Sequence, residues 1–242
     1  MDKIPTVTKN LLAINVLMFL ALLVGRRWGI DLNDYLGLHF FLSEGFMPHQ
    51  LITYMFMHGS LSHIFFNMYA LFIFGRTLEH VWGPKRFLVY YLVAGVGAAL
   101  VQEAVGAVRF YSIAGAIDPA GVAAVVHEGF GILQQGKNYI NPSLAELNIV
   151  LNSTTVGASG AIYAILLGFG MLFPNDRIFI FPLPVPIKAK YFVIGYAVIE
   201  LYMGVAGSPD GVAHFAHLGG MLFGLILIML WRKKKKISGP YV

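Results

Sequence analysis

Hydroxyl and imidazole groups are what this sequence offers for covalent chemistry. Cysteine is absent, so thiolate nucleophiles, zinc-thiolate sites and disulfides are excluded. Ser159 stands in "TTVGASGAIYA", where small residues run straight into an apolar segment, and His214 and His217 stand in "AHFAHLGG". A serine held at hydrogen-bond distance from an imidazole is a nucleophile with its general base. A third polar cluster, "MHGSLSHIFFN", puts His63 and Asn67 at i and i+4 on one helix face, with His58 one loop turn earlier. Donors placed so can stabilise an oxyanion. His58 and His63 could also ligate a metal, but the H-E-x-x-H of a zinc protease is missing and no carboxylate accompanies the histidines in sequence. Neither a metal nor a cofactor is expected.

The elements that must position these groups belong in a bilayer. Of 242 residues 57% are hydrophobic and only 12% charged, well below the roughly 25% charge of soluble domains. Apolar runs at 11–25, 61–82, 87–106, 159–173, 190–206 and 212–231 predict six spans, an all-α polytopic bundle filling residues 1–242 as one domain. From Ser159 to Phe173 a helix rises only ~21 Å, against a hydrocarbon core of ~30 Å. Ser159 is therefore expected below the outer surface, where irregular backbone is tolerated only inside protein or beside water. His217 to Trp231 repeats that length, and both spans run inward, so the two residues should share a depth. Gly160, Ala164 and Gly168 make one small-residue stripe and Gly220 and Gly224 another, which would let the helices touch.

Thirteen of the 17 Lys and Arg fall on the side holding both termini: Lys3, Lys9, Arg76, Lys85, Arg86, Arg177, Lys188, Lys190 and the run Arg232 to Lys236. Positive-inside bias makes that side the cytoplasm, with Arg26 and Arg27 as the main dissent. The first apolar run lacks a small-x-small cleavage site and reads as a retained anchor. The basic run beside the last span reads as a topology signal touching anionic lipid, not a nucleic-acid site. Two outward loops are long. The first, 26–57, reads as helices lying in the interface plane. The second, 107–156, contains a short helix with Asn141 as N-cap, Pro142 in the first turn and Leu144, Leu147 and Leu151 on one stripe. Asp118, Pro119, His127 and Glu128 argue against a seventh span there. Glu200 is the one acid well inside a span, as a functional group or as a structural hydrogen-bond partner of a neighbouring helix.

"HGSLSHIFFN", "GASGAIYA" and "AHLGGMLFG", in this order over six spans, resemble the signature segments of the rhomboid family of intramembrane serine proteases. The resemblance implies Ser159 as nucleophile in the turn opened by Gly157, and His217 as base, in a dyad with no acid. It implies an oxyanion hole of His63, Asn67 and the Ser159 N–H, with His58 beside a water-accessible cavity. Tyr163 would pack on the His217 ring, and Gly220 and Gly224 would allow close helix contact. Implied partners are membrane-protein substrates with helix-destabilised transmembrane segments, and the implied setting is a bacterial cytoplasmic membrane. The alternative is a catalytically silent relative that binds client helices; such proteins generally lack the serine or the histidine, and both are here. The Trp-Arg pair of many members is missing where "PHQLITY" stands, and the 107–156 connection exceeds the family minimum.

Overall fold

The computed structural model describes residues 3–179, 185–207 and 211–233, so the end of the basic run at 234–236 lies outside the described residues. Among the described residues, four helices are long and apolar enough to cross a membrane: α1 (Thr6–Arg27), α6 (Pro84–Ala114), α10 (Ala189–Ala206) and α11 (His214–Lys233). Around them lie α2 (Leu32–Leu36), α3 (Gln50–Thr53), α4 (Leu61–Ala70), α5 (Arg76–Trp82), α7 (Pro119–Gln134), α8 (Pro142–Asn152) and α9 (Ser159–Leu172). The protein is an integral, multi-pass membrane protein of helical architecture.

The expected second span is one helical run interrupted by a π turn at Leu71–Gly75 between α4 and α5. The extra residue of such a turn widens the helix and re-aims the side chains beyond it. Glu79 on α5 is buried and caps α1 from 71 residues away: its carboxylate accepts from the Val7 and Thr8 N–H groups and from the Thr8 hydroxyl at 2.7–2.9 Å. A carboxylate at a helix N-terminus answers both its free N–H groups and its dipole.

α11 is the pillar of the molecule, packed against α6 on one side and α9 on the other. Small residues set the spacing. A Cβ on Gly220 would fall 1.9 Å from the Gly160 carbonyl oxygen, and one on Gly219 would fall 2.6 Å from the Val101 Cβ. Tyr90 of α6 is fully buried and donates its hydroxyl to the Ala164 carbonyl at 2.7 Å, tying α6 to α9. α10 is different. It buries only Ala189, Val193 and Glu200 and turns most of its apolar surface outward.

Three expectations need correction. α6 does not stop at 106 but continues to Ala114, because "AVRFYSIA" contains no breaker before Gly115. At 31 residues it rises ~46 Å, more than the bilayer core, and its C-terminal end becomes the wall on which α8 packs, with α7 packed on α8 in turn. Phe40, Phe110, Val125, Leu147 and Leu151 form a separate small core there. The loop at 26–57 holds little helix: only α2, α3 and a 3-10 turn at Tyr54–Phe56, since Gly, Pro and Ser interrupt it. The bundle expected to be all-α also contains a short antiparallel pair in the connection after α9, β1 (Arg177–Ile178) with β2 (Ile187–Lys188). The short helix in the second loop is as expected. Asn141 accepts from the Ser143 and Leu144 N–H groups, and Leu147 and Leu151 are buried, with Leu144 half-buried beside them.

Candidate active site

Ser159 is the first residue of α9, where the N–H groups of the first turn have no intrahelical acceptor. The approach to it is fixed on two sides. Leu38 and Thr155 exchange a pair of backbone hydrogen bonds at 2.8 and 2.9 Å, pinning the first loop to the segment before the serine. Gly157 then donates its N–H to the Tyr54 carbonyl at 2.9 Å with φ at +131°, and a Cβ there would meet His63 Nε2 at 2.7 Å. Both the backbone conformation and the space demand glycine.

The first loop is itself stapled by one side chain. Gln50 is fully buried; its Oε1 accepts from the His39 and Met47 N–H groups, and its Nε2 donates to the Tyr35 and Gly45 carbonyls. Gln50 thus holds the loop together where the Trp-Arg pair is missing.

His217 sits in the first turn of α11, and its Nε2 lies 2.8 Å from Ser159 Oγ. Tyr163, one turn along α9 from the serine, stacks on the imidazole with ring centroids 4.2 Å apart and planes 9° from parallel. The structure therefore brings together Ser159, His217 and Tyr163, with Gly157 and Gly220 supplying the close approaches. Gly224 meets Tyr90 and Ala164 one turn further down.

His63 flanks the other side of Gly157, and its ring lies 5.0 Å from that of His58, edge to face. His58 is fully buried, with neither ring nitrogen hydrogen-bonded. Asn67 follows one turn after His63 on the same face of α4, buried, with its side-chain NH₂ unpaired. Buried donors left without partners are rare and call for a reason.

One neighbour runs against expectation. A carboxylate does accompany the histidines: Glu200 of α10 reaches in, buried, and its Oε2 lies 2.7 Å from His214 Nδ1 and 2.9 Å from His217 Nδ1. The Tyr163 hydroxyl donates to the other carboxylate oxygen. The His214 contact is an aligned hydrogen bond. The His217 contact is at ion-pair distance but not aligned, which leaves Nδ1 a buried polar atom without a hydrogen bond. Sequence spacing hid this because 14 and 17 residues and a chain reversal separate Glu200 from the two histidines. The one legible signal was an acid well inside a span.

Glu200, His214 and His217 offer ligand atoms within 4.8 Å of one another, a set that could receive a divalent cation. A cation on Nδ1 of a neutral His217 would leave the proton on Nε2, facing Ser159, where a general base needs a lone pair.

Residues 46–234 match the family model for the Rhomboid domain. Among similar proteins, RHOMBOID-like protein 12, mitochondrial, of Arabidopsis thaliana is 29% identical over 190 residues, covering 78% of this chain and 47% of its own length. Rhomboid protein 1, mitochondrial, of Saccharomyces cerevisiae is 26% identical over 225 residues, 89% of this chain and 50% of that protein. Rhomboid protease AarA of Providencia stuartii is 25% identical over 176 residues, 72% of this chain and 52% of that protein. The chain spans about half the length of these curated relatives. Two of the three are named for mitochondria, so the bacterial setting draws no support from them. With a domain match over most of its length and the motif residues gathered at one buried place, the chain belongs to the rhomboid family.

Proposed function

We propose that this protein is an intramembrane serine endopeptidase that cleaves transmembrane segments near their outer ends. The observation that carries the reading is the 2.8 Å contact between His217 Nε2 and Ser159 Oγ at the half-buried N-terminus of α9. His217 takes the hydroxyl proton as the Ser159 oxygen bonds to a peptide carbonyl carbon. The same proton passes to the leaving amine as the C–N bond breaks. Water, deprotonated by His217, then attacks the ester and frees Ser159. Charge on the tetrahedral oxygen falls to His63, Asn67 and the N–H groups opening α9; the unpaired NH₂ of buried Asn67 supports that role. Tyr163 holds the imidazole plane, and His58 backs His63 edge to face.

In this reading the run 61–82 and the short helix α9 join the four long helices to make six spans, with both termini in the cytoplasm and the serine near the outer face. A peptide bond inside an intact helix is shielded and hydrogen-bonded, so substrates are segments that unwind easily. The test is cleavage of a generic transmembrane substrate by the purified protein in detergent, with Ser159→Ala as control. Cleavage that persists in the control at the wild-type rate refutes the assignment.

A further inference from the structure

Four polar groups from three helices converge on one buried point: Glu200 from α10, His214 and His217 from α11, and Tyr163 from α9. An ionised side chain is costly at membrane depth unless its charge is answered on the spot. Here each carboxylate oxygen has a hydrogen-bond donor. Oε1 accepts from the Tyr163 hydroxyl, and Oε2 accepts from His214 Nδ1 with His217 Nδ1 at 2.9 Å. The expected dyad leaves this carboxylate without a task.

Resting on the proposed protease reading, we infer that Glu200 is a positioning residue that fixes the tautomer and orientation of His217 in the Ser159–His217 pair. The chemistry lies in the tautomer. A lone pair on Nδ1 would face the carboxylate oxygen at 2.9 Å and be repelled, whereas a proton there is attracted. The proton on Nδ1 leaves the Nε2 lone pair toward Ser159, which is the form a general base needs. When His217 takes the serine proton, the same carboxylate answers the new positive charge. The present misalignment of the Nδ1–H suits a resting site, since catalytic hydrogen bonds are often long or poorly aligned before substrate binds.

The neighbouring groups play defined parts. Tyr163 and His214 hold the carboxylate from both oxygens, so that it cannot turn away from His217. His63 faces the site from α4 across Gly157, on the Ser159 side of the imidazole, and Tyr196 of α10 lies behind Tyr163 with ring centroids 6.0 Å apart. None of these offers His217 Nδ1 a second anion, and Glu200 is the one carboxylate of the cluster. Glu200 is also one of three buried residues on α10, so the side chain that orients the base also helps to seat this helix.

Two measurements on the full chain in detergent test the inference. The first is ¹⁵N NMR of histidine-labelled protein, with His217 assigned by its loss in His217→Asn. In Ser159→Ala, which removes the partner at Nε2, neutral His217 should still carry its proton on Nδ1, and adding Glu200→Gln should abolish that preference. A proton on Nε2 in Ser159→Ala overturns the inference without any need for Glu200 variants to fold, and without reference to proteolysis. The second is cleavage kinetics of Glu200→Gln, which keeps the acceptor for Tyr163 but loses the charge. The expected loss is in kcat, about 10²- to 10⁴-fold, with KM nearly unchanged, by analogy with the orienting acid of other serine proteases. Wild-type kcat in Glu200→Gln overturns the inference and leaves the protease reading intact; unchanged cleavage in Ser159→Ala overturns the reading itself.

Discussion

Replacing Gly220 by alanine adds one methyl group, and the structure says where it goes. The new Cβ would lie 1.9 Å from the Gly160 carbonyl oxygen and 2.6 Å from its carbon, both of them backbone. No side chain can swing aside to admit it, so α11 and α9 must separate by about 1.5 Å to restore ordinary contact. Gly160 adjoins Ser159, and Gly220 is three residues, about 4.5 Å along the axis, from His217. Even two thirds of that separation carried to the site would stretch the 2.8 Å contact between His217 Nε2 and Ser159 Oγ beyond hydrogen-bond range. A displacement of about 1 Å at reacting groups costs on the order of 10²-fold in rate. Overpacking itself destabilises by about 1–3 kcal/mol. Gly224→Ala is the internal control, because its Cβ would meet the Tyr90 hydroxyl at 2.6 Å and the Ala164 methyl at 2.9 Å, side-chain atoms a turn further from the serine. Cleavage kinetics and thermal melting in detergent should rank the variants as wild type, Gly224→Ala, Gly220→Ala. Wild-type turnover and melting in Gly220→Ala would mean that the two helices do not meet at Gly160.

Ser159→Ala, His217→Ala and the double variant should lose cleavage equally, because neither group completes its step alone; additive losses in single-turnover assays would break the pairing. Asn67→Ala should slow turnover by about 10²- to 10³-fold while an uncleavable substrate still binds, and an equal loss of binding would make Asn67 a substrate contact instead. Gln50→Ala strips partners from four backbone groups of the first loop and should speed its digestion by added protease, with no change if the loop is held by Leu38 and Thr155 alone. Reporters inserted at Gly83 should read cytoplasmic and at Gly136 external; the reverse would place the site in the inner half of the membrane.

What could be read from the chain followed from rules that act over a few residues. Ser159 as the first residue of α9, Asn141 as the cap of α8 and Gly220 as a contact all rest on local signals: small residues, an N-cap side chain, an i+4 stripe. The extension of α6 past the bilayer was missed because hydropathy marks where lipid ends, whereas helix geometry ends only at a breaker. The π turn at Leu71–Gly75 was invisible for a related reason: its sequence is ordinary apolar helix, and packing around the buried Leu71, Phe74 and Gly75 selects the wider winding.

Glu200 marks the limit of such reading most sharply. Its depth was legible, since an acid amid "YAVIELYMG" cannot face lipid cheaply, but its azimuth was not. α10 has apolar residues on every side, so no hydrophobic stripe says which way residue 200 turns. The fold resolves this with electrostatics added to a small buried strip, since Ala189 and Val193 are buried on the same face as Glu200. The imidazoles of α11 and the hydroxyl of Tyr163 are the donors within reach, and α10 rotates until its carboxylate meets them. On this view the least buried of the four long apolar helices is oriented in large part by its most polar residue. Changing Glu200 should therefore loosen α10 as well as disorient His217, and the two effects separate by assay. Hydrogen exchange along 189–206 reports the first, and the ¹⁵N signature of His217 reports the second. Glu200→Gln, which retains the Tyr163 bond, should alter the second far more than the first; equal changes in both would reduce Glu200 to an anchor.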